Sequence, residues 1–269
     1  MESNKKLFAL PVFVILGYLL MVAVNTLSAL LPLNGMTPGE ISDKYPSLFV
    51  PAGITFSIWG PIYILLGIFT VFSAFHMFTG SEKNTKRLQE TASLFVATCA
   101  ANIMWIFTWH NLQILLSLMS MSILFLLLLY AYQQIQKKPT QQEEAALTAK
   151  VPFWHGVPFS VYFGWITVAT IANVSAFLVS INWTGGGIAP DVWTAILIAV
   201  ATAITLIILI AKFDLAYALV IVWALMGISI RHTSFFSAKY PIVLIVCSGC
   251  LTMLFAGICY AVVKTYKEP

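Results

Sequence analysis

The sequence predicts an all-α fold, a polytopic integral membrane bundle of about eight transmembrane helices, and three observations lead there. Of 269 residues, 60% are hydrophobic and only 9% are charged, against roughly 25% charged in an ordinary soluble domain. Mean hydropathy is +0.91. The 24 charges, 14 basic and 10 acidic, are also bunched, leaving residues 7–39, 45–81, 91–136, 151–190, 192–211, 215–230 and 240–263 free of Asp, Glu, Lys and Arg. So few charges cannot cover a water-soluble globule of this length, whereas a spanning helix needs about 20 apolar residues.

Two of the gaps are subdivided by their own residues. Residues 91–136 are long enough for two helices, with a tight turn expected at His110-Asn111. Residues 151–190 hold one helix and then a loop from Asn182 onward, because the Gly185-Gly186-Gly187 run stops a helix. The expected spans are 7–31, 53–79, 88–109, 112–136, 152–181, 190–211, 214–230 and 240–263, the seventh being the shortest. The first is read as a retained span, since its apolar run continues to Leu31, beyond a signal core of about 7–15 residues.

With eight spans, one side of the membrane carries Lys5, Lys6, Lys83, Lys86, Arg87, Lys137, Lys138, Lys150, Lys212, Lys264 and Lys267. The other carries only Lys44, Arg231 and Lys239. The positive-inside rule then predicts a multi-pass protein of the cell membrane with both termini cytoplasmic. The formal net charge of +4 is thus an orientation signal and implies no nucleic-acid partner.

Catalytic motifs are scarce. The chain has no phosphate-binding loop, no His-Glu-x-x-His and no Gly-x-Ser-x-Gly, so no catalytic residue and no resident metal are assigned. Glu40, Asp43, Glu82, Glu90, Glu143, Glu144, Asp191 and Asp214 all fall in expected loops or helix ends, which argues against a proton-driven carrier. A channel or permease built on backbone and amide groups stays open. Cys99, Cys247, Cys250 and Cys259 sit within expected helices, where small apolar packing is the ordinary role. His76, His110, His155 and His232 are expected at interfaces; were haem bound with axial ligation, His110 is the first candidate, because it adjoins an aromatic cluster.

That cluster emerges from the eight tryptophans. Trp109, Trp154, Trp183 and Trp193 lie at expected helix ends, where indoles occupy the headgroup belt. Trp59, Trp105, Trp165 and Trp223 lie within spans. Phe56, Trp59 and Tyr63 share helical spacing in the second span, Asn102, Trp105 and Trp109 in the third, and Tyr162, Trp165, Ala169 and Asn173 in the fifth. Asn102 and Asn173 must face the protein interior, because an unsatisfied amide in hydrocarbon is costly. Such stripes serve either helix packing or a pocket for a flat apolar ligand, and periodicity does not separate the two.

The run VYFGWITVATIAN at 161–173 resembles the fifth-helix signature of the tryptophan-rich sensory protein family, TspO/MBR, matching at Tyr162, Trp165, Ala169, Thr170 and Asn173. PAGITFSIWGPIYILLG at 51–67 is similar to the family's second-helix pattern, and Asn102 and Trp105 resemble its third-helix Asn-x-x-Trp. The resemblance covers 7–181 and suggests a TspO/MBR-like five-helix core at 1–181, followed by an additional three-helix membrane segment at 182–269 without counterpart in the short members. Residues 31–46 are similar to the first loop of longer bacterial relatives.

What the resemblance implies is a pocket roofed by that loop and binding a planar hydrophobic ligand, haem or protoporphyrin, in a sensory or regulatory role. Trp59, Trp105 and Trp165 would wall the ligand, Tyr63 and Tyr162 would offer hydroxyls, Asn102 and Asn173 would fix its polar edge, and Ala169 would leave room. Light-dependent porphyrin breakdown is the enzymatic alternative that the family suggests. A permease or transport-complex subunit is the alternative from another class, motivated by the extra helices and by Trp223 and Arg231. The partners expected are the lipid bilayer and a small hydrophobic ligand, with a homodimer or a second membrane protein left open.

Overall fold

A computed structural model describes residues 2–31, 33–80, 86–137 and 153–267, and all regular structure among them is helical. In chain order the helices are α1 (Glu2–Leu30), α2 (Pro38–Asp43), α3 (Trp59–Phe78), α4 (Lys86–His110), α5 (Ile114–Gln136), α6 (Phe153–Ser180), α7 (Pro190–Lys212), α8 (Leu215–Ser234) and α9 (Pro241–Lys267). Among the described residues, eight helices are long and apolar enough to cross a membrane, one for each expected span. The chain is a multi-pass membrane protein. Lys83, Lys138, Lys150, Glu82, Glu143 and Glu144, which the sequence places in loops, lie outside the described residues, as do the side chains of Lys5, Lys6, Trp154, His155 and Lys267.

Local chemistry sets the helix ends. Helix α7 begins with Pro190 at its first position, where a missing N–H costs nothing, and stops where Phe213 turns left-handed (φ 52°) with its N–H on the Leu209 carbonyl. Asp214 then caps α8, accepting from the Tyr217 N–H at 3.0 Å. Between α4 and α5 the turn falls one residue later than expected, with Leu112 left-handed (φ 58°) and the Gln113 N–H reaching the Thr108 carbonyl at 3.0 Å. Large apolar side chains such as Leu20, Phe75, Ile207 and Phe255 are exposed, as lipid-facing surfaces require.

Two corrections bear on the site. The second span is not one continuous α-helix: residues Gly53–Ile58 form a 3₁₀ turn, and α3 starts at Trp59. Phe56 therefore lies in that turn ahead of α3, where its ring meets Trp165. The seventh span runs to Ser234, so Arg231 and His232 belong to its last turn, where positive charge suits the helix dipole.

The chain divides into two compact units. The first contains Met1–Pro38 and Trp59–Phe163, in which α1 packs on α3 and α4, and α4 on α5. The second contains Gly39–Ile58 and Gly164–Pro269, in which α7, α8 and α9 pack on one another and the Gly53–Ile58 turn packs on α8.

Candidate functional site

In the first unit, i,i+4 spacing on two helices builds a stack of four rings. Trp59 and Tyr63 on α3 stack at 5.5 Å and 20°. Trp59 stacks on Trp105 of α4 at 6.4 Å and 27°, and Trp105 on Trp109 at 6.2 Å and 22°. Tyr162 meets Trp59 edge-on at 6.1 Å. Trp105 and Trp109 are buried while Trp59 and Tyr63 are partly exposed, so one end of the ladder is open. Trp109 is thus not a belt residue: it is 4% exposed, and its indole N–H donates to the Pro38 carbonyl at 3.1 Å, tying α4 to the start of the loop after the first span.

A polar line runs beside the rings. The Asn25 amide of α1 donates to Asn102 Oδ1 at 2.6 Å, and Asn102 in turn donates to the Tyr162 hydroxyl at 3.1 Å. All three are buried, and the second Asn25 donor goes to the Met21 carbonyl at 2.8 Å. Asn102 is therefore satisfied by an α1 amide and a phenol, neither by Asn173 nor by an indole. Asn25 escaped the sequence reading, although it is the one amide in the α1 apolar run, and an amide at such a depth signals an interior partner. Close by, the Tyr18 hydroxyl donates to the Tyr63 carbonyl at 3.0 Å, passing over Gly67, where an added Cβ would stand 2.6 Å from that hydroxyl.

The second unit holds the other residues singled out. Trp165 meets Phe56 edge-on at 5.9 Å and 82°. Asn173 is 5% exposed and donates to the Ala169 carbonyl at 3.0 Å, four residues back on α6. Tyr217 donates to the Thr167 hydroxyl at 3.1 Å. Gly164 lets α6 and α8 approach closely, since a Cβ there would lie 3.3 Å from the Tyr217 carbonyl.

Trp223 and Arg231 acquire partners here. The Trp223 indole donates to the Thr55 carbonyl at 2.9 Å. Arg231 pairs with Asp43 at 2.7 Å, and its guanidinium lies 4.9 Å from the Phe235 ring centroid. His232, expected just past the span, is fully buried, with its Nε2–H donating to the Leu48 carbonyl at 2.8 Å.

His110 is likewise buried, at 1% exposure, and is not an interfacial residue. Its Nδ1 sits 2.8 Å from the Ile106 carbonyl, which can only accept, so Nδ1 carries the proton. Nε2 is left buried without a hydrogen-bond partner among the described residues. Haem iron accepts an imidazole nitrogen as an axial ligand, but His110 adjoins Trp109 at the buried end of the stack, away from the partly exposed Tyr63 end, and does not fit a ligand placed there. The four cysteines are free thiols, Cys99, Cys247 and Cys250 buried and Cys259 exposed. Trp183 and Trp193 lie against each other at 5.4 Å, and the Trp193 indole donates to the Gly185 carbonyl at 2.8 Å, so this pair closes the glycine loop at a helix end.

No curated protein and no solved structure matches the chain. A family model described as TSPO-like protein matches residues 11–260, beginning inside α1 and ending inside α9, beyond the five spans whose motifs carry the resemblance. With that match extending over all eight spans, the chain belongs to the TSPO-like protein family.

Proposed function

We propose that this protein binds a planar hydrophobic ligand, a tetrapyrrole such as haem or protoporphyrin, and acts as a membrane sensor or regulator of that ligand. The observation that carries the reading is the Tyr63, Trp59, Trp105 and Trp109 stack with the Asn25, Asn102 and Tyr162 line beside it. A flat aromatic ligand gains by extending a ring stack at its exposed end, and a few fixed polar groups orient it. In this reading Tyr63 offers the accessible face at the end of the stack, and Trp59 and Trp105 back it. Asn102 acts by holding the Tyr162 hydroxyl in place. Trp165, Ala169 and Asn173 are the further residues that the family resemblance assigns to the ligand, each to be tested by its own substitution.

As to orientation, the excess of Lys and Arg on the side of the two termini favours a cytoplasmic location for both in the cell membrane.

Titrating purified full-length protein with protoporphyrin and with haem, while following tryptophan fluorescence, tests the reading. Saturable quenching is expected, and combined Trp59→Ala and Trp105→Ala should weaken affinity about tenfold, the consequence of losing about 1.4 kcal/mol of ring contact. Unchanged affinity in that double variant sinks the assignment.

A further inference from the structure

Four contacts fasten the segment Gly39–Ile58 to α8. Taken along α8, the Trp223 indole holds the Thr55 carbonyl at 2.9 Å, and the Gly227 carbonyl accepts from the Ala52 N–H at 3.0 Å. One turn on, Arg231 pairs with Asp43 at 2.7 Å, and His232 donates to the Leu48 carbonyl at 2.8 Å. Trp223, Gly227 and Arg231 recur at i, i+4 and i+8, so one face of α8 makes three of these contacts, and His232 makes the fourth from the next position in the chain. Gly227 is required there: a Cβ would stand 2.8 Å from Thr55 Cγ2 and 2.9 Å from Thr55 Cβ, inside van der Waals contact.

The fasteners differ in kind along this face. Those to Thr55, Ala52 and Leu48 engage the strap's backbone, whereas the one to Asp43 is an ion pair whose carboxylate side chain is 58% exposed. The turn beyond α8 holds two consecutive non-glycine residues, Ser237 (φ 47°) and Ala238 (φ 57°), in the left-handed region. Such conformations persist only when surrounding contacts enforce them. One of those contacts is the Ala238 N–H on the His232 carbonyl at 2.9 Å, and Phe236 and Tyr240 then sit 5.1 and 5.9 Å from the His232 ring. In sequence, the fastened segment is flanked by Pro38, whose carbonyl accepts from Trp109, and by Trp59, a member of the ring stack.

We propose that α8 is the latch of the Gly39–Ile58 strap: Trp223, Gly227 and His232 form its fixed part, the Arg231–Asp43 pair is its releasable fastener, and release of Arg231 from Asp43 frees the strap and speeds ligand exchange. The ligand half of this proposal rests on the tetrapyrrole reading given above. The latch assigns a task to a C-terminal helix, and it accounts for Trp223 and Arg231 as anchors of backbone and carboxylate. Local opening of this kind draws on the weakest fastener first, which here is the ion pair to the exposed Asp43 carboxylate.

The test uses full-length protein in lipid nanodiscs and two readouts on the same variants. Amide hydrogen exchange over residues 48–56 reads the strap, and stopped-flow dissociation of protoporphyrin reads the ligand. Arg231→Ala and Asp43→Asn should each raise exchange at the Ala52 amide and protoporphyrin dissociation about two- to fivefold, the range for a partly exposed ion pair. The charge swap Asp43→Arg with Arg231→Asp should return both towards wild type, which separates loss of the pair from general unfolding. Exchange unchanged in both single variants overturns the latch. Faster exchange with unaltered dissociation overturns its control of the ligand. A wild type that takes up no protoporphyrin removes the tetrapyrrole reading instead, and the exchange arm then decides the latch alone.

Discussion

The ring stack with its amide line in the first unit and the α8 face in the second hold their polar residues mostly by different means. In the first, side chain meets side chain: rings stack on rings, and Asn25, Asn102 and Tyr162 pair through an amide, an amide and a phenol. In the second, the α8 side chains reach mostly for backbone, as Trp223 does for Thr55 and His232 for Leu48, and a glycine admits a non-repetitive segment to the helix surface. Side-chain pairs need complementary residue types at helical spacing. Backbone anchors need only one suitable donor and a carbonyl, which every residue possesses. A ladder of the first kind tolerates change in the loops around it, whereas a strap of the second kind depends on the path of a loop.

The sharpest break in that comparison is expected at Gly227. Gly227→Ala forces a Cβ against Thr55, and overpacking of this kind costs about 1–3 kcal/mol. A lowered thermal midpoint in detergent, with faster exchange confined to the Gly39–Ile58 strap, is the expected result. A midpoint equal to that of wild type would show that the close approach carries no weight.

Asn102→Ala comes next. It leaves the Asn25 amide and the Tyr162 hydroxyl without their partner, at about 1–2 kcal/mol. A double-mutant cycle with Tyr162→Phe should return a coupling of about 0.6 kcal/mol, the mean for interhelical hydrogen bonds in membranes. Zero coupling would mean that the line is a set of independent contacts.

Trp109→Phe keeps a ring in the stack and removes only the bond to Pro38. About 0.5–1 kcal/mol of stability should be lost, with fluorescence changes limited to the missing indole. A loss as large as that of Asn102→Ala would shift the weight of the first unit from its amide line to its loop tie.

The smallest effect belongs to the surface. Lys86 and Glu90 lie 3.7 Å apart with their side chains 88% and 48% exposed. Lys86→Ala should change stability by about 0.3 kcal/mol or less. A larger change in chemical denaturation would mean that exposed charge, and not the interior, holds the start of α4.

Much of this was legible in the residues. The charge-free gaps and their lengths specify eight spans, since hydrocarbon thickness dictates about 20 apolar residues per helix, and the eight helices follow them. Trp59, Tyr63, Trp105 and Tyr162 could be grouped from i,i+3 and i,i+4 spacing alone. Three things were hidden. Trp109 looked like a belt indole because belt and core tryptophans differ only in what surrounds them. The second span looked like one continuous α-helix because nothing in the residue types separates a 3₁₀ turn from the first turn of an α-helix. His232 and Arg231 looked like loop residues because a charge normally ends a span, whereas here α8 carries them in a last turn that meets the carboxylate of Asp43 and the carbonyl of Leu48.

The sequence by itself determined that the chain is helical, how many times it can cross a bilayer and which stripes of its helices are aromatic. All of these are properties of one helix at a time, written in periodicity and in the cost of charge and unsatisfied backbone in hydrocarbon. Only the tertiary structure decided which stripes meet. The pairing of Asn102 with Asn25 spans 77 residues, and that of Arg231 with Asp43 spans 188. Contacts at such separations depend on how helices pack, and no local pattern encodes them.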